Sequence, residues 1–125
     1  MALACFPNIS KRVVLEDGTG YAYVKVSASA SKPTFLLLHG FPSFSYDWHH
    51  QITALAAGGF GIVAPDLLGY GDTDSPAEVE AYSLKRMSDH IAEILAQEGI
   101  DHVIGVGHDW LVATLKLLKL LPEYC

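Results

Sequence analysis

The stretch from Val103 to Leu111 carries the side chain of this protein that is best placed for chemistry. An apolar run rich in β-branched residues meets Gly107, then Asp109, then a helix-forming apolar run. This pattern predicts a buried strand, a sharp hinge and a helix whose first turn presents the aspartate. Gly107 precedes Asp109 by two residues, which is the spacing of the first glycine in a nucleophile elbow. Aspartate tolerates positive φ better than most residues, and a helix N-terminus favours its ionised form. Asp109 could therefore be a carboxylate nucleophile that forms a covalent ester, or it could simply cap the helix that follows.

The elements that would position this aspartate begin with a hairpin. Two runs of β-forming residues, Lys11–Leu15 and Tyr21–Val26, flank the turn-forming residues 16–20. This arrangement predicts two antiparallel strands. The next strand is the unbroken apolar run Thr34–Leu38, which ends at His39. A run without polar alternation is typical of a parallel strand that is buried on both faces.

A helix and a further strand follow. Ser45 is a candidate N-cap for the helix, and Gly58 and Gly59 end it. The next predicted strand is Gly61–Pro65, and Asp66 comes directly after it. We expect Asp66 to be a structural carboxylate that binds the amides of the following loop.

The most regular helix begins after Ser83, the predicted N-cap, and ends at Gly99, the predicted C′ residue. Its apolar residues follow the helical period on one face: Leu84, Met87, Ile91, Ile94 and Leu95. A last, almost wholly apolar helix is predicted over residues 110–121. In the turn-rich loop between strand and helix, Asp72 and Asp74 are expected to be solvated charges.

A hairpin followed by alternating strands and helices predicts an α/β domain with right-handed parallel crossovers. Ligands bind such sheets beyond the carboxyl ends of the strands. His39, Asp66 and Asp109 all fall at those ends. This convergence favours a functional site over an aspartate that only caps a helix.

Composition limits the classes of protein that need to be considered. A length of 125 residues suits one domain, and the net charge of −6 argues against nucleic-acid binding. No apolar run approaches the ~20 residues of a membrane span. The first seven residues contain no basic side chain, so we expect no signal peptide and a cytoplasmic protein. Cys5 and Cys125 are predicted to be free thiols.

Four motifs in this order resemble the N-terminal half of an α/β-hydrolase of the soluble epoxide hydrolase family, in particular its fungal and bacterial members. The motifs are His39-Gly40-Phe41-Pro42, Asp47-Trp48, Gly69-Tyr70-Gly71 through Pro76, and Gly107-His108-Asp109-Trp110. The resemblance extends from about Lys11 to Glu123. It implies a partial α/β-hydrolase fold, which is a mostly parallel sheet with an N-terminal antiparallel hairpin and flanking helices.

The resemblance also implies a chemistry. The aspartate that matches Asp109 attacks an epoxide carbon, and the backbone N–H groups that match Phe41 and Trp110 form the oxyanion hole. The residues implied to line or support the pocket are His39, Gly40, Pro42, Trp48 and His108. The substrate would be a small-molecule epoxide, the product a vicinal diol, and no cofactor is implied.

Related chemistries fit the motifs less well. Haloalkane dehalogenases usually carry an asparagine where this chain has Phe41, and dehalogenases of the fluoroacetate type place an arginine where it has Trp110. A serine esterase is excluded because the elbow holds no serine. His39, His108 and Asp109 lack the ligand spacing of a metal site, so no metal is expected.

Two departures from the family pattern affect the expected activity. Leu111 replaces the small residue that the family has after the elbow, and overpacking typically costs ~1–3 kcal/mol. No segment corresponds to the cap domain with its tyrosines, or to the catalytic histidine with its acidic partner. None of the six histidines is a substitute, because His49, His50, His90 and His102 are expected at the surface.

We therefore expect residues 1–125 to be the N-terminal part of an α/β-hydrolase domain, with the cap and the C-terminal half absent. Such a chain would be catalytically incomplete. The alternatives are a dehalogenase-like hydrolase and a non-catalytic interaction fragment. We also expect self-association, because the apolar strand Val103–Val106 would form an open sheet edge.

Overall fold

The computed structural model describes residues 6–29, 31–39, 48–69, 71–77, 83–100 and 102–107. Within these ranges it has five strands and two α-helices. In chain order they are β1 (Ser10–Val14), β2 (Gly20–Val26), β3 (Thr34–Leu38), α1 (His49–Ala57), β4 (Gly61–Pro65), α2 (Leu84–Gln97) and β5 (Ile104–Gly107). The cysteines, Ser45 and the predicted helix over residues 110–121 lie outside the described residues.

The five strands form one mixed sheet in the order β1-β2-β4-β3-β5. The hairpin strands β1 and β2 are antiparallel, as expected, and β2 is also antiparallel to β4. The strand β3 runs parallel to both of its neighbours, so that Leu36 pairs with Val63 of β4 and with Gly105 of β5. The predicted α/β architecture, with an N-terminal antiparallel hairpin, is confirmed.

Each face of the sheet is covered by its own apolar cluster, because successive side chains of a strand point to opposite faces. Along β2, Tyr21 and Tyr23 pack with the buried face of α2, whereas Ala22 and Val24 pack with Ile52 of α1. The predicted core residues of α2 for which burial is described are indeed buried: Met87, Ile91, Ile94 and Leu95. The two helices therefore cover opposite faces of the sheet.

Both helices end as the glycines predict. Gly59 and Gly99 adopt φ values of 83° and 70°, and in each case the next residue donates its backbone N–H to a carbonyl of the last turn. The Phe60 nitrogen lies 3.0 Å from the Leu55 oxygen, and the Ile100 nitrogen lies 2.9 Å from the Leu95 oxygen. These contacts define a Schellman motif at each C-terminus.

The start of α2 agrees with prediction. The Ser83 hydroxyl oxygen accepts the Arg86 N–H at 3.1 Å, as expected of an N-cap. The helix α1 begins at His49, and its N-cap residue Trp48 makes no side-chain capping bond. Ser45, the predicted N-cap, lies outside the described residues. Trp48 packs against the core cluster of α1.

The last described strand is one residue later than predicted and less buried. It spans Ile104–Gly107 rather than Val103–Val106, and 46% of Ile104 is exposed. This exposure has a simple cause, because β5 pairs only with β3 among the described strands and lies at the end of the sheet order.

Candidate functional site

His39 joins the ends of two parallel strands. It directly follows β3, is 1% exposed, and its Nε2 atom accepts the backbone N–H of Leu67 at 2.9 Å. An imidazole nitrogen that accepts a hydrogen bond carries no proton. His39 therefore holds the carboxyl end of β3 against the residue that follows Asp66.

Asp66 is a structural carboxylate, as the sequence predicts. It is fully buried, and its Oδ2 atom accepts the backbone N–H of Asp72 at 3.1 Å. Its own N–H donates to the carbonyl of Ala22 at 2.8 Å, and its carbonyl accepts the Thr73 hydroxyl. These contacts tie the end of β4 to β2 and shape the loop that follows.

The prediction that Asp74 is a solvated charge was wrong. Its Oδ2 atom accepts the Gly20 N–H at 2.8 Å, and its Oδ1 atom accepts from the Arg12 guanidinium at 2.5 Å. The Arg12 Nε–H also donates to the carbonyl of Asp72 at 3.3 Å. The half-buried Asp72 is likewise part of this connection rather than a free loop charge. The strand-end loop is therefore fixed to the start of β2.

Thr73 was not singled out from the sequence, although it is one of the few buried polar residues. Its exposure is 5%, and its hydroxyl oxygen accepts the Ala22 N–H at 3.0 Å. The partner lies 51 positions away in the chain, so no local pattern could have indicated the contact.

Trp48 is half-buried against the apolar cluster of α1. Its indole Nε1 atom is buried and has no hydrogen-bond acceptor within the described part of the chain.

The expectation that His90 lies at the surface was also wrong. His90 is 3% exposed, with its Nδ1 atom 2.9 Å from the Tyr21 hydroxyl and its Nε2 atom 2.8 Å from Asp17 Oδ2. A helical period could have revealed this position, because residue 90 is three after Met87 and four before Ile94, both of which are buried.

These three polar side chains attach the turn of the hairpin to α2. Hydrogen bonds from His90 and Thr19 hold the pKa of Asp17 well below its usual range. Burial, assisted by the nearby Asp17 charge, raises the pKa of Tyr21. Arg86 completes the cluster at 3.3 Å from Asp17 Oδ2. The buried polar atoms of this cluster are therefore paired with one another and are not available to a ligand.

Most of the sequence-predicted site lies outside the described residues. This applies to Gly40, Phe41, Pro42, His108, Asp109, Trp110 and Leu111. What the structure brings together is the two strands that lead to them. Leu38, the last residue of β3, pairs in parallel register with Gly107, the last residue of β5.

Neither a membrane-spanning helix nor a cluster of metal ligands is found among the described residues. No helix among them is long and apolar enough to cross a membrane. Within the same residues, no group of three or more His, Cys, Asp or Glu side chains could hold a metal ion.

Comparison with known proteins identifies the class of this fold. A family model described as the alpha/beta hydrolase fold matches residues 33–110. The chain therefore belongs to the α/β-hydrolase family. Its relatives within that family include epoxide hydrolases. It is 44% identical over 85 residues to epoxide hydrolase 2 of Siraitia grosvenorii, which covers 68% of this chain and 27% of that protein. It is 37% identical over 101 residues to epoxide hydrolase A of Mycobacterium tuberculosis, which covers 81% of this chain and 31% of that protein.

Solved structures agree with this assignment. The crystal structure of an epoxide hydrolase from Vigna radiata superposes with a TM-score of 0.81 at 34% identity, over 92% of this chain and 38% of that one. Epoxide hydrolase A of Mycobacterium thermoresistibile gives a TM-score of 0.77 at 31% identity, over 91% of this chain and 36% of that one. The chain thus spans about a third or less of the length of the two curated relatives described above.

Proposed function

We propose that this chain carries the nucleophile of an epoxide hydrolase, and that the nucleophile is Asp109. The observation that supports this best is the pairing of Leu38 with Gly107 at the carboxyl ends of β3 and β5. Two neighbouring strands end at the same level there. Phe41 follows one of them by three residues, and Asp109 follows the other by two. A nucleophile and an oxyanion-hole amide can therefore originate from adjacent strands.

The proposed reaction has two steps. In the first, a carboxylate oxygen of Asp109 forms a bond to an epoxide carbon, the ring C–O bond breaks, and the released alkoxide takes a proton from solvent water. In the second, water attacks the carbonyl carbon of the resulting ester. The backbone N–H groups of Phe41 and Trp110 stabilise the tetrahedral oxyanion, and the diol leaves. The oxygen that Asp109 gave to the substrate stays in the diol, and the oxygen of water remains on Asp109.

The second step also needs a general base, and neither of the two buried histidines that the structure describes is in a state to serve as one. Water must be activated by a general base, which contributes typically ~10²–10⁴-fold. The Nε2 atom of His39 is occupied by Leu67, and both nitrogens of His90 face Tyr21 and Asp17. We therefore propose that the 125 residues taken alone do not turn over, and form at most a slow stoichiometric ester. As part of the same proposal we assign the protein to the cytoplasm.

Mass spectrometry of the purified chain with styrene oxide tests this proposal. We expect a one-to-one adduct on Asp109 that is absent from Asp109→Asn. The matched control is Asp72→Asn, which removes a carboxylate from the strand-end loop and leaves the adduct unchanged. If the adduct forms and is then hydrolysed in ¹⁸O-labelled water, the label appears on Asp109 and not in the diol.

Two results would overturn the proposal in different ways. An adduct that persists in Asp109→Asn would show that another residue is the nucleophile. Sustained diol production that is lost in Asp109→Asn would keep the nucleophile but refute the incompleteness of the chain.

A further inference from the structure

A shallow groove opens at the amino ends of β3 and β5. Lys32 and Thr34 form one wall, and Ile100, His102 and Ile104 form the other. The groove has a volume of about 420 Å³, within the range of small-molecule sites. Ligands of the reaction bind at the carboxyl ends of such strands, so this groove is separate from the proposed catalytic site.

The groove is lined by apolar side chains that remain accessible. Ile104 is 46% exposed, and Val14 is the only other large hydrophobic residue among those described that is exposed. Ile100 and Val103 are half-buried beside it. An apolar ligand would remove this surface from water, which is favourable at ~25 cal/mol per Å².

The groove carries a positively charged side chain although the chain is acidic. Six of the eight lysines and arginines lie in the described ranges. Five of these six form ion pairs with carboxylates: Lys11, Arg12, Lys25, Lys85 and Arg86. The sixth is Lys32, and it lines the groove. In a chain with a net charge of −6, Lys32 thus places at the groove a positive charge that no carboxylate of the described residues neutralises.

Two further observations make the rim suitable for an anion. The Lys32 ammonium lies 4.9 Å from the centre of the Phe60 ring, a contact that orients the charge without neutralising it. His102 is exposed on the opposite wall and has no hydrogen-bond or ion-pair partner in the described part of the chain. Two donors therefore flank an apolar surface from opposite sides.

We propose that this groove binds a small amphipathic carboxylate. Its carboxylate lies between Lys32 and His102, and its alkyl chain covers Ile100 and Ile104. Binding is non-covalent and does not depend on Asp109, so it stands or falls separately from the proposed hydrolase activity.

The test is a titration of the ¹⁵N-labelled 125-residue chain with sodium octanoate, followed through its backbone amide resonances. Acetate supplies the head group alone, and 1-octanol supplies the tail alone. We expect saturable shifts centred on Thr34, Ile100, His102 and Ile104. Octanoate should bind more tightly than either of the other two probes.

Matched variants separate the two contributions. Lys32→Gln should weaken octanoate binding roughly two- to five-fold, the range for an exposed ion pair, and leave octanol binding unchanged. Lys85→Gln removes the same charge from α2 and should have no effect. Ile104→Thr keeps the β-branched shape but removes apolar surface, so it should weaken octanoate and octanol alike, by roughly three-fold.

Several outcomes would overturn the proposal. One is the absence of saturable shifts, and another is that they are centred on other residues. Equal affinities for octanoate and octanol, unaffected by Lys32→Gln, would show that the groove recognises no anion. Octanoate shifts that appear only at protein concentrations at which the chain self-associates would show that the groove responds to a second copy of the chain and not to the carboxylate.

Discussion

The Nε2 atom of His39 lies 2.9 Å from the backbone nitrogen of Leu67, and both residues are almost fully buried. Replacing His39 with leucine would leave the Leu67 N–H without an acceptor in the protein interior. Such a loss costs ~1–3 kcal/mol of the free energy of unfolding. In His39→Gln the side-chain oxygen can replace Nε2, and the cost should be smaller. Urea unfolding of the two variants measures the difference, and equal destabilisation would show that the hydrogen bond is not the cause.

The Asp17 carboxylate should make stability depend on pH in the acid range. Its pKa is lower in the folded chain than the usual value for an aspartate, mainly because of the His90 hydrogen bond. The stabilisation is therefore complete above the unfolded pKa and is lost as the pH falls through the folded one. Because 37% of the side chain is exposed, we expect less than ~1 kcal/mol.

The measurement is the free energy of unfolding at about pH 7 and about pH 3, on either side of the ordinary aspartate pKa. Asp17→Asn should lose less stability on acidification than the unmodified chain. Asp89→Asn is the control, because it breaks an exposed ion pair between Asp89 and Lys85, which both lie in α2. An unchanged pH slope in Asp17→Asn would contradict this prediction.

Two isoleucines allow a direct comparison of core and edge. Ile94 is fully buried in α2, whereas Ile104 in β5 is 46% exposed. Ile94→Ala should cost ~2–5 kcal/mol because it leaves a cavity. Ile104→Ala should cost clearly less than Ile94→Ala, since much of its side chain stays in water. Thermal or urea unfolding measures both losses in the free energy of unfolding. Similar losses for the two variants would mean that the side chain of Ile104 is covered.

The two outer strands of the sheet differ in their protection against association. The outer strand β1 carries Lys11 and Arg12, whereas β5 consists of isoleucine, valine and two glycines. Charged residues on an edge strand discourage pairing with another chain. We predict that the chain self-associates through β5 and that Ile104→Lys reduces this association. Sedimentation velocity over a range of concentrations is the measurement, and a monomer at all of them would disprove the idea.

Patterns in the sequence predicted those parts of the molecule whose determinants are local. The unbroken apolar runs 34–38 and 61–65 became the strands β3 and β4, and Ser83 and Gly99 became the helix caps. In each case a few consecutive residues decide the conformation. Asp66 was also interpreted correctly, because a carboxylate at a strand end readily meets the amides of the next loop.

The errors concern contacts between distant parts of the chain. His90 finds Asp17 and Tyr21 across 73 and 69 positions, and Asp74 finds Gly20 across 54. The helical period indicates that residue 90 is buried, but nothing in the neighbourhood of these residues identifies their polar partners. Pairing of this kind is a property of the folded topology. It explains why a histidine and an aspartate that look like surface residues in the sequence are structural.

The position of β4 between β2 and β3 has a consequence for the order of folding during synthesis. The hairpin β1–β2 is made first and can close locally, but its next neighbour in the sheet is β4 and not β3. Contacts between distant segments form slowly because a loop must close first. One edge of β2 therefore stays unpaired until residues 61–65 have left the ribosome. During that interval the exposed edge can pair with other chains. We therefore expect a chaperone to bind the nascent chain mainly before β4 emerges.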